Sequence, residues 1–181
     1  MDRSDILDIA GANPCLRQLM DGWHGVPVLL CDPVMNVRAA NDLGTALLSG
    51  LRYGHNLFKL VFLDPAAGDF FIEWPHIAAA AADLLHSIAA QDHHPGLDAL
   101  IGELGERSEE FRRIWAGHDV SSDARRVKRL RHPLVGELTL FCDVLDVERL
   151  PGHHVLAFQA EPGSPSQRAL DLLATLGAAA R

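Results

Sequence analysis

The sequence lacks any long hydrophobic run. Its longest stretch without Asp, Glu, Lys or Arg is the eleven residues 150–160, against the roughly 20 apolar residues that a membrane-crossing helix needs. No membrane partner is therefore expected. The amino terminus, MDRSDILDIAG, lacks the charged-then-apolar pattern of a signal peptide. Cysteine is scarce: Cys15, Cys31 and Cys142 are scattered along the chain, which excludes a disulfide framework and makes a reducing cytoplasm the expected compartment. Positive charge is in deficit as well, with 16 Lys and Arg against 24 Asp and Glu, a net charge of -8. Neutralising phosphates takes a surplus of cations, so specific DNA binding by these residues is not expected.

Catalytic motifs are also missing. Ten histidines invite a metal hypothesis, but none stands in HExxH and no CxxC accompanies them. His93-His94 and His153-His154 fall in Pro/Gly turns, where surface histidines are the simpler account. There is no GxSxG, and Pro162-Gly163-Ser164-Pro165-Ser166 puts proline where a nucleophile elbow would continue into helix. No Gly-rich loop cradles a phosphate. The adjacent pair His118 and Asp119 is the one acid/base candidate; a histidine there also suits the negative end of a helix. The expectation is a chain that is not an enzyme and carries no cofactor or metal.

What remains is 181 residues, 48% hydrophobic and 22% charged, enough apolar material for one domain with a sizeable core. Pro14 opens a short helix whose apolar stripe is Leu16, Leu19, Met20 and Trp23. Strand-length runs follow at 26–31 and 35–39, joined by an Asp32-Pro33 turn into a hairpin. Helical periods then occupy 41–48, 75–90, 97–104 and 108–118, the last with Ser108 as N-cap and Glu109 and Glu110 at the positive end of the dipole. After Asp123 the period changes to alternation, giving strands over 125–132, 137–147 and 153–161 and a closing helix over 164–176 with Leu170, Leu173 and Leu176 inward. The cationic run Arg125, Arg126, Lys128, Arg129 and Arg131 reads as an edge strand guarded by its charges. The order of elements predicts an α+β fold, an antiparallel sheet with helices on one side.

Four segments read together carry more information. They are Asn56-Leu57-Phe58-Lys59-Leu60-Val61-Phe62-Leu63-Asp64-Pro65, Glu110-Phe111-Arg112-Arg113-Ile114-Trp115-Ala116-Gly117-His118-Asp119-Val120, His132-Pro133-Leu134-Val135-Gly136-Glu137-Leu138-Thr139-Leu140, and Ala160-Glu161-Pro162-Gly163-Ser164-Pro165-Ser166. In this order, and with the helix at Pro14, they resemble the MmyB-like ligand-binding domain over nearly the whole chain. The resemblance implies a PAS-like five-stranded antiparallel sheet with helices cupped over one face, flanked by N-terminal and C-terminal helices, and an interior pocket for a fatty-acid-like ligand. It also implies a transcription regulator of the XRE type, in which a helix-turn-helix makes the DNA contact. No helix-turn-helix precedes Asn13 in this sequence, so the expectation is a sensor module lacking its DNA reader, with residues 1–24 as a helical segment and 25–181 as the sensing domain. A second departure is Ala40, which stands where the family carries tryptophan.

On this reading the ligand lies between sheet and helices, lined by Val37, Ala39, Leu138, Leu140 and Phe158 from strands and by Phe111 and Trp115 from a helix. The candidate polar contacts are Asn41, Asn56, His118 and His132. Of the adjacent arginines, Arg113 can pair with Glu109, which leaves Arg112 as the carboxylate partner. A homodimer is the expected assembly. A dimerisation module with a filled core is the alternative, and an enzyme working through His118 and Asp119 ranks third.

Overall fold

The computed structural model describes residues 14–91, 96–117 and 126–179. Helix α1 (Pro14–Asp21) starts at a proline, whose missing N–H costs nothing in a first helical turn. It leads into the hairpin β1 (Val28–Cys31) and β2 (Val37–Ala40). The turn between them is held by Asp32, whose Oδ1 accepts from Val34 N at 3.0 Å and Asn36 N at 2.9 Å, around Met35 in the left-handed region at φ 59°. The hairpin is followed by α2 (Asp42–Leu47), α3 (Leu57–Leu63), α4 (Ala67–Phe70), α5 (Trp74–Gln91), α6 (Leu97–Arg107) and α7 (Glu109–Ala116). The chain ends in β3 (Val127–His132), β4 (Gly136–Asp146), β5 (His154–Ala160) and α8 (Pro165–Ala179).

The strands form one antiparallel sheet in the order β2-β1-β5-β4-β3. The cationic β3 is an edge strand, as the charge pattern predicts, and its outer side is partly occupied by a bridge from Phe71 to Leu130. One face of the sheet, the inner face, carries two apolar clusters. Leu29, Cys31, Val37 and Leu156 pack beneath α3, α5, α6 and α7, while Leu130, Leu138 and Leu140 pack beneath α2, α4 and α8. Phe71 and Phe158 touch both clusters. The outer face is covered near β1 and β2 by α1, where Met20 seals Val28, Leu30, Ala39 and Val155.

Sequence and structure differ at four places. Helices α3 and α4 were not foreseen, because 57–63 is apolar nearly throughout and shows no helical period. Leu19 and Leu176 are exposed rather than inward, each one step around its helix from the buried stripe. Arg113 pairs with Glu110, not Glu109. Finally, β2 carries an irregularity: Cys31 faces Val37 and Leu30 faces Ala39, so Arg38 is an extra residue in the ladder. Its guanidinium reaches back to Asp32 Oδ2 at 2.7 Å.

Candidate ligand-binding site

The inner face is where sheet and helices could hold a ligand, and six of the twelve residues singled out in the sequence reach it. Val37 and Phe111 are buried in the first cluster, with Trp115 half-buried against it. Leu138 and Leu140 are buried in the second, and Phe158 lies where the two meet. An aromatic ladder crosses the helical layer. His86 of α5 stacks on Trp115 at 3.5 Å between centroids, Trp115 lies 5.2 Å from Phe111, and Phe111 meets Phe62 edge-on at 5.0 Å. These contacts place α5, α7 and α3 in one rigid layer over the sheet. Beyond Cys142 the inner face opens, and Val144 is 56% exposed.

Ala39 does not belong to this face. The extra residue Arg38 breaks the two-residue alternation, which turns Ala39 outward against Met20 and leaves Ala40 as the β2 residue packed with Val37 on the inner side. Ala40 therefore stands in the inner cluster, with a methyl group at the position where the family carries an indole. Arg112 is also away from the site. It is exposed, and its Nη1 donates to the Gly105 carbonyl at 2.7 Å, closing the C-terminal end of α6. His118 and Asp119 lie outside the described residues, as do Asn13, His93, His94 and Arg125.

Three of the polar candidates hold the frame. Asn41 caps α2: its Oδ1 accepts from Gly44 N at 2.8 Å and Val28 N at 3.0 Å, and its Nδ2 donates to Val26 O at 2.8 Å. Asn56 caps α3 in the same way, accepting from Lys59 N and donating to Val34 O and Asn36 Oδ1. His132 uses both ring nitrogens, Nε2 on Ala46 O at 3.2 Å and Nδ1 accepting from Leu134 N at 3.2 Å. With these bonds made, none of the three has much capacity left for a ligand.

One cation missed by the sequence reading does face inward. Lys128 is paired with Leu140 across the β3–β4 ladder and so shares its face. It is half-buried, makes no ion pair among the described residues, and its charge acts on the Cys142 thiol. Counting back by two from the buried Leu130 could have found it. Burial nonetheless dominates both inner thiols, pushing Cys142 up to about 11 and Cys31 up to about 12. Neither is a thiolate nucleophile at neutral pH. No group of three or more His, Cys, Asp or Glu that could hold a metal occurs among the described residues.

The five-stranded antiparallel sheet, the helices cupped over its inner face and the apolar seam between them define a PAS-like α+β domain. Residues 12–173 match the family model of the MmyB-like transcription regulator ligand binding domain. The chain belongs to that family and is the ligand-binding, sensing domain of a transcription regulator. No curated protein matches it. Among the described residues no helix is long and apolar enough to cross a membrane.

Proposed function

We propose that the domain senses a fatty-acid-like molecule held between the inner sheet face and α3, α5 and α7, in the cytoplasm, and passes its occupancy to a separate helix-turn-helix that contacts DNA. Family membership over residues 12–173 carries the reading. The inner face supports the ligand's location: its two apolar clusters, which share Phe71 and Phe158, supply the mostly apolar surroundings that an acyl chain requires. Val37, Phe111, Trp115, Leu138, Leu140 and Phe158 would flank it. A carboxylate buried without a partner is costly, and Lys128, inward and without an ion pair among the described residues, would supply that partner at the open end. His118 is a second candidate for the same role. The chain would act by binding, not by catalysis, and no cofactor is part of the reading.

Each buried methylene contributes roughly 0.8 kcal/mol, so ten carbons gain roughly 8 kcal/mol before ordering costs, enough for micromolar affinity. The test is native mass spectrometry of the purified protein with lipid extraction, followed by thermal melts of delipidated protein with fatty acids of about eight to eighteen carbons. A bound acyl mass, and melting temperatures that climb with chain length to a limit, are expected. No bound mass and no shift with any acid would overturn the reading in favour of a dimerisation module with a filled core.

A further inference from the structure

Ala40 ends β2 on the inner side, and the next residue, Asn41, is buried at the corner where α1, β1 and α2 meet. Its Oδ1 is occupied by Val28 N and Gly44 N. Its Nδ2 has two hydrogens but three acceptors within reach. Val26 O takes one hydrogen at 2.8 Å, while the carbonyls of Met20 and Trp23 stand at 3.3 and 3.4 Å from the same nitrogen. One N–H therefore serves two carbonyls, one on the last turn of α1 and one just beyond it. Met20 O also accepts from Trp23 N at 3.2 Å, a bond that closes the end of the helix.

We infer that Asn41 couples the inner face to α1: occupancy of the inner face displaces β2 and α2, and the shared N–H settles on one of its two carbonyls, which fixes the end of α1. The inference rests on the ligand reading above and names the route by which occupancy leaves the site. β2 is a four-residue edge strand, hydrogen-bonded to β1 alone of the described strands, and so the one most easily displaced. Its Ala40 packs against the first inner cluster, and Leu43 and Leu47, which follow Asn41 on α2, are buried in the second. An occupant of the inner face thus meets residues on both sides of Asn41. The corner has no slack to absorb the displacement, because a Cβ at Gly44 would stand 2.5 Å from Val28 O and 3.1 Å from Asn41 Oδ1. β1, α2 and Asn41 therefore move together, and the contacts free to adjust are the two long ones to Met20 O and Trp23 O. Asn41 acts as a positioning residue, through its neighbours and without touching the ligand.

Hydrogen exchange followed by mass spectrometry on the full 181-residue chain tests it, with dodecanoate and hexadecanoate as probes. Calorimetry measures binding separately, and circular dichroism verifies folding. In the wild type a saturating probe should slow exchange over residues 16–23 by about threefold or more, at amides that open locally at a helix end and do not report global stability. Asn41→Ser keeps an oxygen to cap α2 and removes Nδ2, so it should bind the probe within about threefold of wild type and lose the slowing. Thr45→Val removes a different bond of the same corner, from Thr45 Oγ1 to Asn41 O at 3.1 Å, and should keep the slowing while losing stability. A probe that binds the wild type and leaves residues 16–23 unchanged would overturn the inference and spare the ligand reading. So would slowing that persists in Asn41→Ser, or that vanishes equally in Thr45→Val. Failure of the wild type to bind either probe would overturn the ligand reading and this inference with it.

Discussion

His132 Nε2 donates to the carbonyl of Ala46 at 3.2 Å, joining β3 to the last turn of α2 across 86 positions of sequence. The same ring accepts from Leu134 N through Nδ1, which fixes the neutral tautomer with its proton on Nε2. His132 is 1% exposed, and burial holds its pKa below the ordinary histidine value even though the Ala46 bond pulls the other way.

The unfolded chain therefore binds a proton at His132 more readily than the folded one. Stability should be full above about pH 6.5 and fall as pH drops below that value, by at most about 1.4 kcal/mol per pH unit, until the depressed folded pKa is reached. His55, lowered mainly by its own burial, adds to the slope in the same direction. Urea melts between pH 5 and 8 check this. His132→Gln should flatten the slope partly, leaving the share due to His55; an unchanged slope would assign the effect elsewhere.

Asn41 ties together α1, β1 and α2 with one side chain. Asn41→Ala removes a helix cap and leaves Val28 N and Val26 O buried without that partner, so a loss of about 2 to 4 kcal/mol is expected. Asn41→Asp keeps the cap acceptor but turns a carboxylate oxygen toward the carbonyls of Val26, Met20 and Trp23 that Nδ2 had held, so it too should destabilise, and more at neutral pH than where the carboxyl is protonated. Denaturant midpoints of the two variants give the comparison.

Gly44 sits where β1 and α2 nearly touch. A Cβ there would stand 2.5 Å from Val28 O and 3.1 Å from Leu29 Cδ2. Gly44→Ala, which stabilises an ordinary helix interior, should here destabilise by about 1 to 3 kcal/mol, since backbone must move to admit the methyl group. A stabilised variant would show that α2 can shift away from the sheet.

Trp115 and Phe111 separate packing from burial. Phe111 is fully enclosed, so Phe111→Ala should cost about 3 to 5 kcal/mol. Trp115 is half-buried and held by its stack on His86, so Trp115→Ala should cost about 2 kcal/mol. Protonation of His86 should also change the indole fluorescence, a signal absent from His86→Phe.

Lys128→Met tests the proposed anchor. Affinity for a fatty acid should fall about tenfold or more, while affinity for the alcohol of equal chain length should hardly change. Equal losses for both would mean that Lys128 only shapes the wall.

Most of the architecture was legible in the sequence, because the hydrophobic period changes sharply after Asp123 and because Ser108, Ser164 and Asn41 mark helix starts that their cap bonds bear out. The site was less legible. A single extra residue, Arg38, reverses the side on which Ala39 falls, and nothing in the composition of β2 announces it. Arg112 follows the buried Phe111, yet the side chain finds the Gly105 carbonyl at the helix junction, a contact that depends on how α6 meets α7. Lys128 was hidden by its neighbours: five cations in seven residues look uniform until the ladder assigns each to a face.

The strand order has a consequence for how the chain is made. β1 sits between β2 and β5, so its second neighbour is supplied only after all the helices but the last and two further strands have been synthesised. At roughly 5 to 20 residues per second, the segment Val28–Cys31 waits on the order of ten seconds after leaving the ribosome before Val155 and Leu156 emerge. During that interval it is a four-residue apolar strand with one unpaired edge. The helices from α2 to α7 can begin to form locally in the meantime, but the sheet cannot close. Nascent chains halted before residue 154 should therefore remain open to protease at β1, and release of the last thirty residues should protect the amino-terminal and carboxy-terminal strands in one step.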